Sequence, residues 1–561
     1  MLRNRLPDDV AEFPDPKRGI NLRKSPEDLA PDEAYLMENV TFDAGVRSRT
    51  GSTLFSTPSL GAHVGVGGHL FVYGDNQRAR LVAGGTNIWT ISDAGVASTL
   101  TSTMSSAQPT HFVTWPITER AYIANGMDSL RYYDGTTLST ISGTNVPASA
   151  TMVKTFADRL FAIQGPVVVA SNPRIDTEWA STGSAWSAYR PFASGANPVA
   201  IHLHSSTGEL GDPQAFLLIF QRHAVYGLRG TDFGTDVTSG SPPTGWDAEL
   251  ILLDPRIGTS SPYSLVTVPG LGTFWFTTDR NIAWLPFGTA HPRLIGDVLI
   301  TDRSDVLGIN QVDSVNLHRV LLTYHDRKLK LMLPESGNTY TSTQYWLDLR
   351  PLYENLGAIL RGDADEGEAT AWSGPMVTQP ISRVWVETES GVQERMFGLD
   401  GRGQSTGLYV YELNPPGVYT EAISTTSSNE IYGDYQTFFH TAGAPGYQKL
   451  MPRVEVDAGG YLHVASVSVH DLHATLTSPF TLLTKGGAAF TLVTYGNGHR
   501  YGTGVVYGST AQNRLGHVDF MERSTTVPVG DALQVQIQTM RRFVLRRLLG
   551  VMKVQRTLPV E

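Results

Sequence analysis

Residues Gly272–Gly288 read GTFWFTTDRNIAWLPFG: two apolar runs on either side of a short polar turn near Asp279. Aromatic and branched side chains suit a pleated, half-buried surface, and a polar turn between two such runs marks a β-hairpin. The theme recurs without its sequence recurring. It is found in LFVYGDNQRARLVAG (Leu70–Gly84), RAYIANGMDSLRYYDG (Arg120–Gly135) and KTFADRLFAIQG (Lys154–Gly165). It returns in AFLLIFQRHAVYGLRG (Ala215–Gly230), HRVLLTYHDRKLKLML (His318–Leu333) and RVWVETESGVQERMFGLDG (Arg383–Gly401). The turns near Asp75, Gly126, Asp158, Arg222, Asp279, Asp326 and Gly391 fall about 50 residues apart, close to one four-stranded propeller blade and its connection. The expectation is an all-β chain with a central β-propeller of about six or seven irregular blades over residues 53–426. A stack of β-sandwiches would use the same hairpins.

The two ends read differently. Residues 1–52 are Pro-rich, charged and unperiodic, an extended N-terminal arm. Within it Ser25-Pro26-Glu27-Asp28 offers an N-cap, a proline and two carboxylates, and a short helix is expected over Pro31–Glu38. Residues 427–561 alternate apolar and polar positions over long stretches, such as Asp434–Asp471 and Ala532–Thr557, and predict a C-terminal β-sandwich. Elsewhere helix signals are thin, apart from PLYENLGAIL (Pro351–Leu360).

At 561 residues the chain exceeds a single core, and its 17% charged residues fall below the roughly 25% of an average domain. There is no cysteine, which excludes disulfides, thiolate catalysis and Cys-bound zinc. No apolar run approaches the roughly 20 residues of a membrane-spanning helix. The opening MLRNRLPDDVAEFPDP has no apolar block behind its basic residues, so a chain made in the cytoplasm, without membrane anchor, is expected. A net charge of −10 argues against a protein that grips DNA phosphates; it suits one that lets DNA pass, and equally it is ordinary for a soluble protein of this length.

Candidate chemistry is sparse. There is no P-loop, no Gly-x-Ser-x-Gly elbow and no dinucleotide fingerprint, and the glycine-rich GAHVGVGG (Gly61–Gly68) lacks the Lys-Ser/Thr of a phosphate loop. Ser92-Asp93-Ala94-Gly95 is a single, incomplete Asp-box. A glycosidase needs two carboxylates about 5–10 Å apart, and Asp158, Asp279 and Asp326 at hairpin turns are candidates, although Asp in such turns caps the backbone. His202 with His204, and His470 with His473, are spaced as metal ligands could be, with no third ligand marked nearby. Trp275 and Trp284 could stack on sugar, but flanking one turn they read as core. Arg361-Gly362-Asp363 and the sequon Asn39-Val40-Thr41 read as accidents. The one basic concentration is Arg541, Arg542, Arg546 and Arg547, with Lys553 and Arg556. Strict alternation would put Leu545 with Arg541 and Arg547 on one face, and Leu548 with Arg542 and Arg546 on the other. Arginines on both faces of a strand suit a subunit boundary, an ordinary surface strand or, less well, a DNA contact.

Two segments resemble a known family. Gly19–Thr53, GINLRKSPEDLAPDEAYLMENVTFDAGVRSRTGST, is similar to the opening of tail proteins of double-stranded DNA phages, and Pro445–Leu450 with its following strand resembles their terminal β-sandwich. The particular resemblance is to tail nozzle, or tube-end, subunits of short-tailed phages. It implies a non-enzymatic virion protein with no cofactor or metal. Such subunits form a ring, most often of six copies, that docks on the head-to-tail adaptor and anchors tail fibres or spikes. An electronegative channel through the ring lets genomic DNA leave without specific binding. Arg47 and Arg49 in the family-like segment, with Arg541, Arg542, Arg546 and Arg547, are the expected interface residues. The competing expectations are a propeller glycosidase or depolymerase acting on host surface polysaccharide, and a monomeric propeller that binds other proteins.

Overall fold

The computed structural model describes residues 9–180, 196–206, 215–230, 248–388, 394–438 and 448–555. Within these, 43–44, 57–59, 106–107, 404–406, 423–427, 461–463, 472–473, 476–479, 482, 485–513, 520–528, 531–532 and 541–542 lie outside the description. Five small antiparallel sheets follow one another along the chain. Their first strands are Gly65–Tyr73, His111–Trp115, Met152–Phe156, Ala200–His204 and Leu265–Val268, opening blades 1 to 5. An 11-stranded sheet supplies two more blades, five and two making seven.

Those last two blades share a strand. Of Ala371–Glu387, the first half pairs with Thr341–Asp348 and completes blade 6, begun by Leu321–His325 and Lys328–Pro334. The second half, from Ile381, pairs with Arg395–Asp400 and becomes the first strand of blade 7. Val410–Leu413 follows, and the fourth strand comes from the other end of the chain: Ser52–Leu54 pairs antiparallel with Val410–Leu413. Each first strand neighbours the next around the circle, and Ile381–Glu387 neighbours Gly65–Tyr73, so the ring is closed. The chain is an all-β, seven-bladed propeller with a C-terminal β-sandwich.

Apolar clusters fill the gaps between blades, because the middle strands of each blade are covered on both faces. Trp275 and Trp284 are fully buried there. Paired strands stand at all seven expected hairpins, one per blade, with the turn near Gly391 outside the described residues, but the hairpins are not equivalent. Asp158 and Asp326 lie on turns joining first and second strands, whereas Asp279 joins a second strand to a third. Successive antiparallel strands reverse direction, so Asp279 sits on the opposite face of the propeller from the other two.

The closing seam lies between blades 1 and 7. Arg80 donates through Nε and Nη2 to the two oxygens of Glu387, both at 2.7 Å, and through Nη1 to Asp93 at 2.6 Å. Arg80 and Glu387 are 2% and 4% exposed. Trp385 Nε1 donates to Glu387 as well, and Trp89, Trp385 and Phe397 pack around the pair. The glycine-rich run serves this approach: a Cβ on Gly68 would meet the Trp385 ring at 2.4 Å.

The arm is extended, and it is stitched into both domains. Asp9–Phe13 pairs with the final strand Phe543–Gln555, and Val40–Phe42 with Val46–Ser48 extends the same sheet. Leu36–Glu38 pairs with Tyr432–Gln436 in the second sandwich sheet. The helix expected over Pro31–Glu38 is therefore replaced by Glu33–Ala34 and Leu36–Glu38, because a waiting strand edge outweighs local propensity. Ser25 leads instead into a single 3₁₀ turn, Pro26–Asp28. The expected helix at Pro351 is present as Arg350–Arg361, ended by Gly362 in the left-handed conformation, which accounts for the Arg-Gly-Asp string as a helix terminus.

Removing one member of a buried ion pair strands its partner, so Arg80→Met should cost about 3–5 kcal/mol. The double variant Arg80→Met/Glu387→Leu should recover most of that loss. Urea midpoints of the four proteins in the cycle check it, and a double-variant loss equal to the sum of the two single losses would show the pair to be inert.

Candidate functional site

The strands circling the propeller axis read GVGGHLFVY, HFVTW, MVKTF, AIHLH, LVTV, LLTYH and, from the shared strand, ISRVWVE. Together they contain one carboxylate, Glu387, which is committed to Arg80. Lys154 and Arg383 supply positive charge, and His69, His111 and His202 supply imidazoles. These groups keep some solvent contact while protein surrounds them, as expected for side chains lining an axial passage.

Hydrogen bonds tie the imidazoles to neighbouring blades. His69 Nε2 lies 2.8 Å from Thr114 Oγ1, and His202 Nε2 lies 3.0 Å from Thr267 Oγ1. Burial, and after it the Lys154 charge, pushes His69 down to about 4 and His202 to about 3, and holds His111 well below the ordinary histidine range. They are neutral at physiological pH. His204 is engaged separately, Nδ1 lying 2.9 Å from Thr273 Oγ1.

Near one end side chains meet across the axis. His111, opening blade 2, stacks on Tyr263, which leads into blade 5, with centroids 4.5 Å apart and planes within 5°. The Arg383 guanidinium of blade 7 lies 3.6 Å from the Tyr263 ring centroid, and its Nε donates to Val66 O at 3.2 Å. Arg319, ahead of blade 6, is held below the ordinary guanidinium range by burial and by Arg383. The result is a basic, hydrogen-bonding passage blocked by stacked rings. Paired carboxylates, as glycoside hydrolysis uses them, are not found on its strands. Among the described residues no group of three His, Asp or Glu could hold a metal ion.

The second notable cluster lies where the arm enters. Asn39, at φ 54°, accepts from Arg49 Nε and from the Val377 N–H, both at 2.8 Å, and donates to Tyr432 O at 2.8 Å. Arg49 also donates to Glu421, to Val377 O and, at 3.0 Å, to Thr50 O. Ser52 donates to the other oxygen of Glu421. At 2% exposure Arg49 cannot present its guanidinium to a neighbouring subunit, which corrects its expected interface role: it is a clamp inside the chain. Asn39, at 5% exposure, is buried too, so the folded chain does not present the sequon.

Arg47 is partly exposed, paired in register with Thr41 and Val544. Arg541 and Arg542 lie outside the described residues. Arg546 and Arg547 belong to the strand Phe543–Gln555, but their side chains lie outside the description. Strict alternation fails in that strand: Leu545 pairs with Ala458 and Arg547 with Asp457, so Arg546 is bulged out of register. Leu545 and Leu548 are consequently both buried. His470 lies in the strand Val464–Asp471 with its side chain outside the description, and His473 lies outside it altogether. Two of the turn carboxylates are held locally, Asp93 by Arg80 and Asp158 by Arg174 at 2.9 Å.

No protein-family model and no curated protein matches the sequence. Among solved structures the chain is similar to BBS1N from its complex with ARL6DN, at TM-score 0.35 and 9% identity, over 66% of this chain and 98% of that one. It is also similar to YCF48 bound to D1 peptide (TM-score 0.35, 9% identity, 68% and 100% covered) and to Saccharomyces cerevisiae Sqt1 (0.37, 10%, 65% and 100%). At such scores the likeness adds nothing to what the strand order itself establishes.

Two outcomes follow from these geometries. Arg49→Ala should lower stability by about 3–5 kcal/mol, and Arg49→Lys should recover little of it, since an ammonium cannot replace the guanidinium fork; thermal melts of both variants check this. His69 and His202 have folded pKa values below the unfolded value, so the stability they contribute is complete above about pH 6.5 and is lost as pH falls toward 4. In that window His202→Gln should flatten the pH dependence of stability by one proton's worth, about 1.4 kcal/mol per pH unit. Denaturant midpoints at pH 7, 6 and 5 measure the slope.

Proposed function

We propose that this chain is a structural subunit of a phage tail nozzle, a non-enzymatic virion protein assembled in the host cytoplasm. The observation that carries the reading is the fate of Gly19–Thr53, the segment with the family resemblance. It lies against the propeller at Trp372, joins both sandwich sheets and ends in the strand that closes the propeller. A protein that must bear load between head and fibres needs its domains locked together, and this segment locks them.

In this reading several copies, six by family resemblance, form a ring that docks on the head-to-tail adaptor and holds fibres or spikes. His111 and Tyr263 touch across the propeller axis, so DNA would pass between copies and not through any one propeller. The net charge of −10 favours passage without adhesion. Arg47 and the C-terminal Arg541, Arg542, Arg546 and Arg547 remain the proposed subunit contacts. A polysaccharide hydrolase gains no support from axial strands with a single, ion-paired carboxylate.

Electron microscopy of the purified chain, alone and mixed with head–tail connectors from the same source, tests the proposal. Rings with a central channel, or new density at the connector's distal end, are expected. Propellers that stay single and never join the connector would overturn it, and cleavage of host polysaccharide would then be the assay to run.

A further inference from the structure

The innermost strands of several blades start together at one mouth of the axis. His111 begins that strand in blade 2, and it stacks on Tyr263, two residues ahead of blade 5's. The Tyr263 carbonyl accepts the Leu322 N–H at 3.2 Å, which brings in the start of blade 6. Arg383, near the start of blade 7's, covers the Tyr263 ring and donates to Val66 O in blade 1. Arg319 ends the 3₁₀ helix Ser314–Arg319, two residues ahead of blade 6's innermost strand. That helix lies at the surface, with Val315 74% exposed, and both arginines are partly exposed, so solvent reaches the mouth.

Hydrogen-bonding capacity is left over here. Arg319 Nε and the Tyr263 hydroxyl are both buried without a hydrogen-bond partner among the described residues. The Arg383 guanidinium does not satisfy the hydroxyl: it lies over the ring face, 3.6 Å from the centroid, while the phenol oxygen lies in the ring plane. Charge is left over too. Among the described residues neither Arg319 nor Arg383 is ion-paired with a carboxylate. Burial first, and then neighbouring cations, hold Arg319, His318 and His111 below their ordinary ranges, and no carboxylate acts on any of the three. A guanidinium does not shed its proton to relieve such a clash, so the repulsion is built into the folded chain. Buried donors and neighbouring like charges are both costly unless answered.

We propose that this mouth is an oxyanion site, taking a carboxylate or phosphate group between Arg319 and Arg383, with the Tyr263 hydroxyl as a neutral donor. The fork of a guanidinium matches two oxygens of either group, and such charge-assisted bonds are strong where water is partly excluded. An anion between the two arginines relieves their repulsion and gives Arg319 Nε the acceptor it lacks. His111 stays neutral and stacked on Tyr263, closing the passage behind the site. The ligand therefore enters from the outer side only, as a small anion or as the tip of a larger chain. The same chemistry could arrive as a free phosphate ester or as an acidic side chain of a partner protein. The site does not depend on the tail-nozzle reading.

The test uses the full chain. Melting temperature is followed as inorganic phosphate replaces chloride at constant ionic strength, and separately as a peptide ending in Asp-Glu is added. Wild type is compared with Arg319→Gln, which takes no hydrogen bond between described residues from the fold, and with Tyr263→Phe, which keeps the stacked ring. Phosphate stabilises proteins in general by exclusion from their surfaces, so the readout is the difference between wild type and variants. A saturable upshift in wild type is expected with at least one probe. Its affinity should fall about tenfold or more in Arg319→Gln, which loses a charged donor, and about threefold or more in Tyr263→Phe, which loses a neutral one. Response to phosphate alone identifies a free ester as the source, and response to the peptide alone a partner's acid. Affinity unchanged in either variant, or no saturable shift with either probe, would overturn the proposal.

Discussion

The Arg49 guanidinium lies between Asn39, Glu421 and the backbone of Val377, and these partners come from three separate parts of the chain. Asn39 belongs to the arm, Val377 to the strand shared by blades 6 and 7, and Glu421 to the strand that follows the propeller. Asn39 adds a fourth part by donating to Tyr432 at the edge of the sandwich. Three residues after Arg49 the chain enters blade 7 and closes the ring. Ser52–Leu54 is only a three-residue strand, too short to hold its register through backbone hydrogen bonds alone. Its register is held from outside, by Arg49 on one side and by Ser52 on Glu421. The clamp thus fixes ring closure and domain attachment together, so neither can loosen without the other.

This arrangement has a cost in folding. The closing strand pairs with residues more than 350 positions away, and such non-local contacts form late because loop closure must precede any gain from them. A propeller left open along blade 7 would expose strand edges and the apolar seam around Trp89, Trp385 and Phe397. The Arg80–Glu387 pair sits in that seam. A buried ion pair is weak as a source of stability but strict in geometry, since both carboxylate oxygens must face one guanidinium. At a seam joining the first blade to the last it suits register better than apolar packing, which tolerates a slip.

The hairpins were legible because each pairs neighbouring runs across a short turn, and local pattern carries that information. Which strands of a blade a hairpin represents was not legible, since strands one and two look like strands two and three. For the same reason Asp279 was grouped with Asp158 and Asp326 although it lies on the other face. The strand shared by blades 6 and 7 and the contribution of Ser52–Leu54 were invisible, as both depend on partners distant in sequence. Residues 33–38 misread as helix because their partner, Tyr432–Gln436, lies about 400 residues further on. Of the candidate site residues, Arg49 was expected at a subunit interface and lies buried instead, because charge gives no sign of burial until its partners are known.

The axis of the propeller bears on which surfaces can matter. Its lining is positive and its imidazoles are neutral, a state enforced by burial and by Lys154. Stacked rings from blades 2 and 5 occupy it near one end, beneath the Arg383 charge. With rings in contact across it, the axis leaves no bore for a duplex. If the chain serves as a conduit, the conduit must therefore be built by several copies, and its bore is set by how one copy meets the next. Contact between copies then carries both architecture and selectivity, which moves the weight of the functional question away from the axis. It falls on the outer surfaces near Arg47 and the final strand, where the arm and the C-terminus are already bound into one sheet.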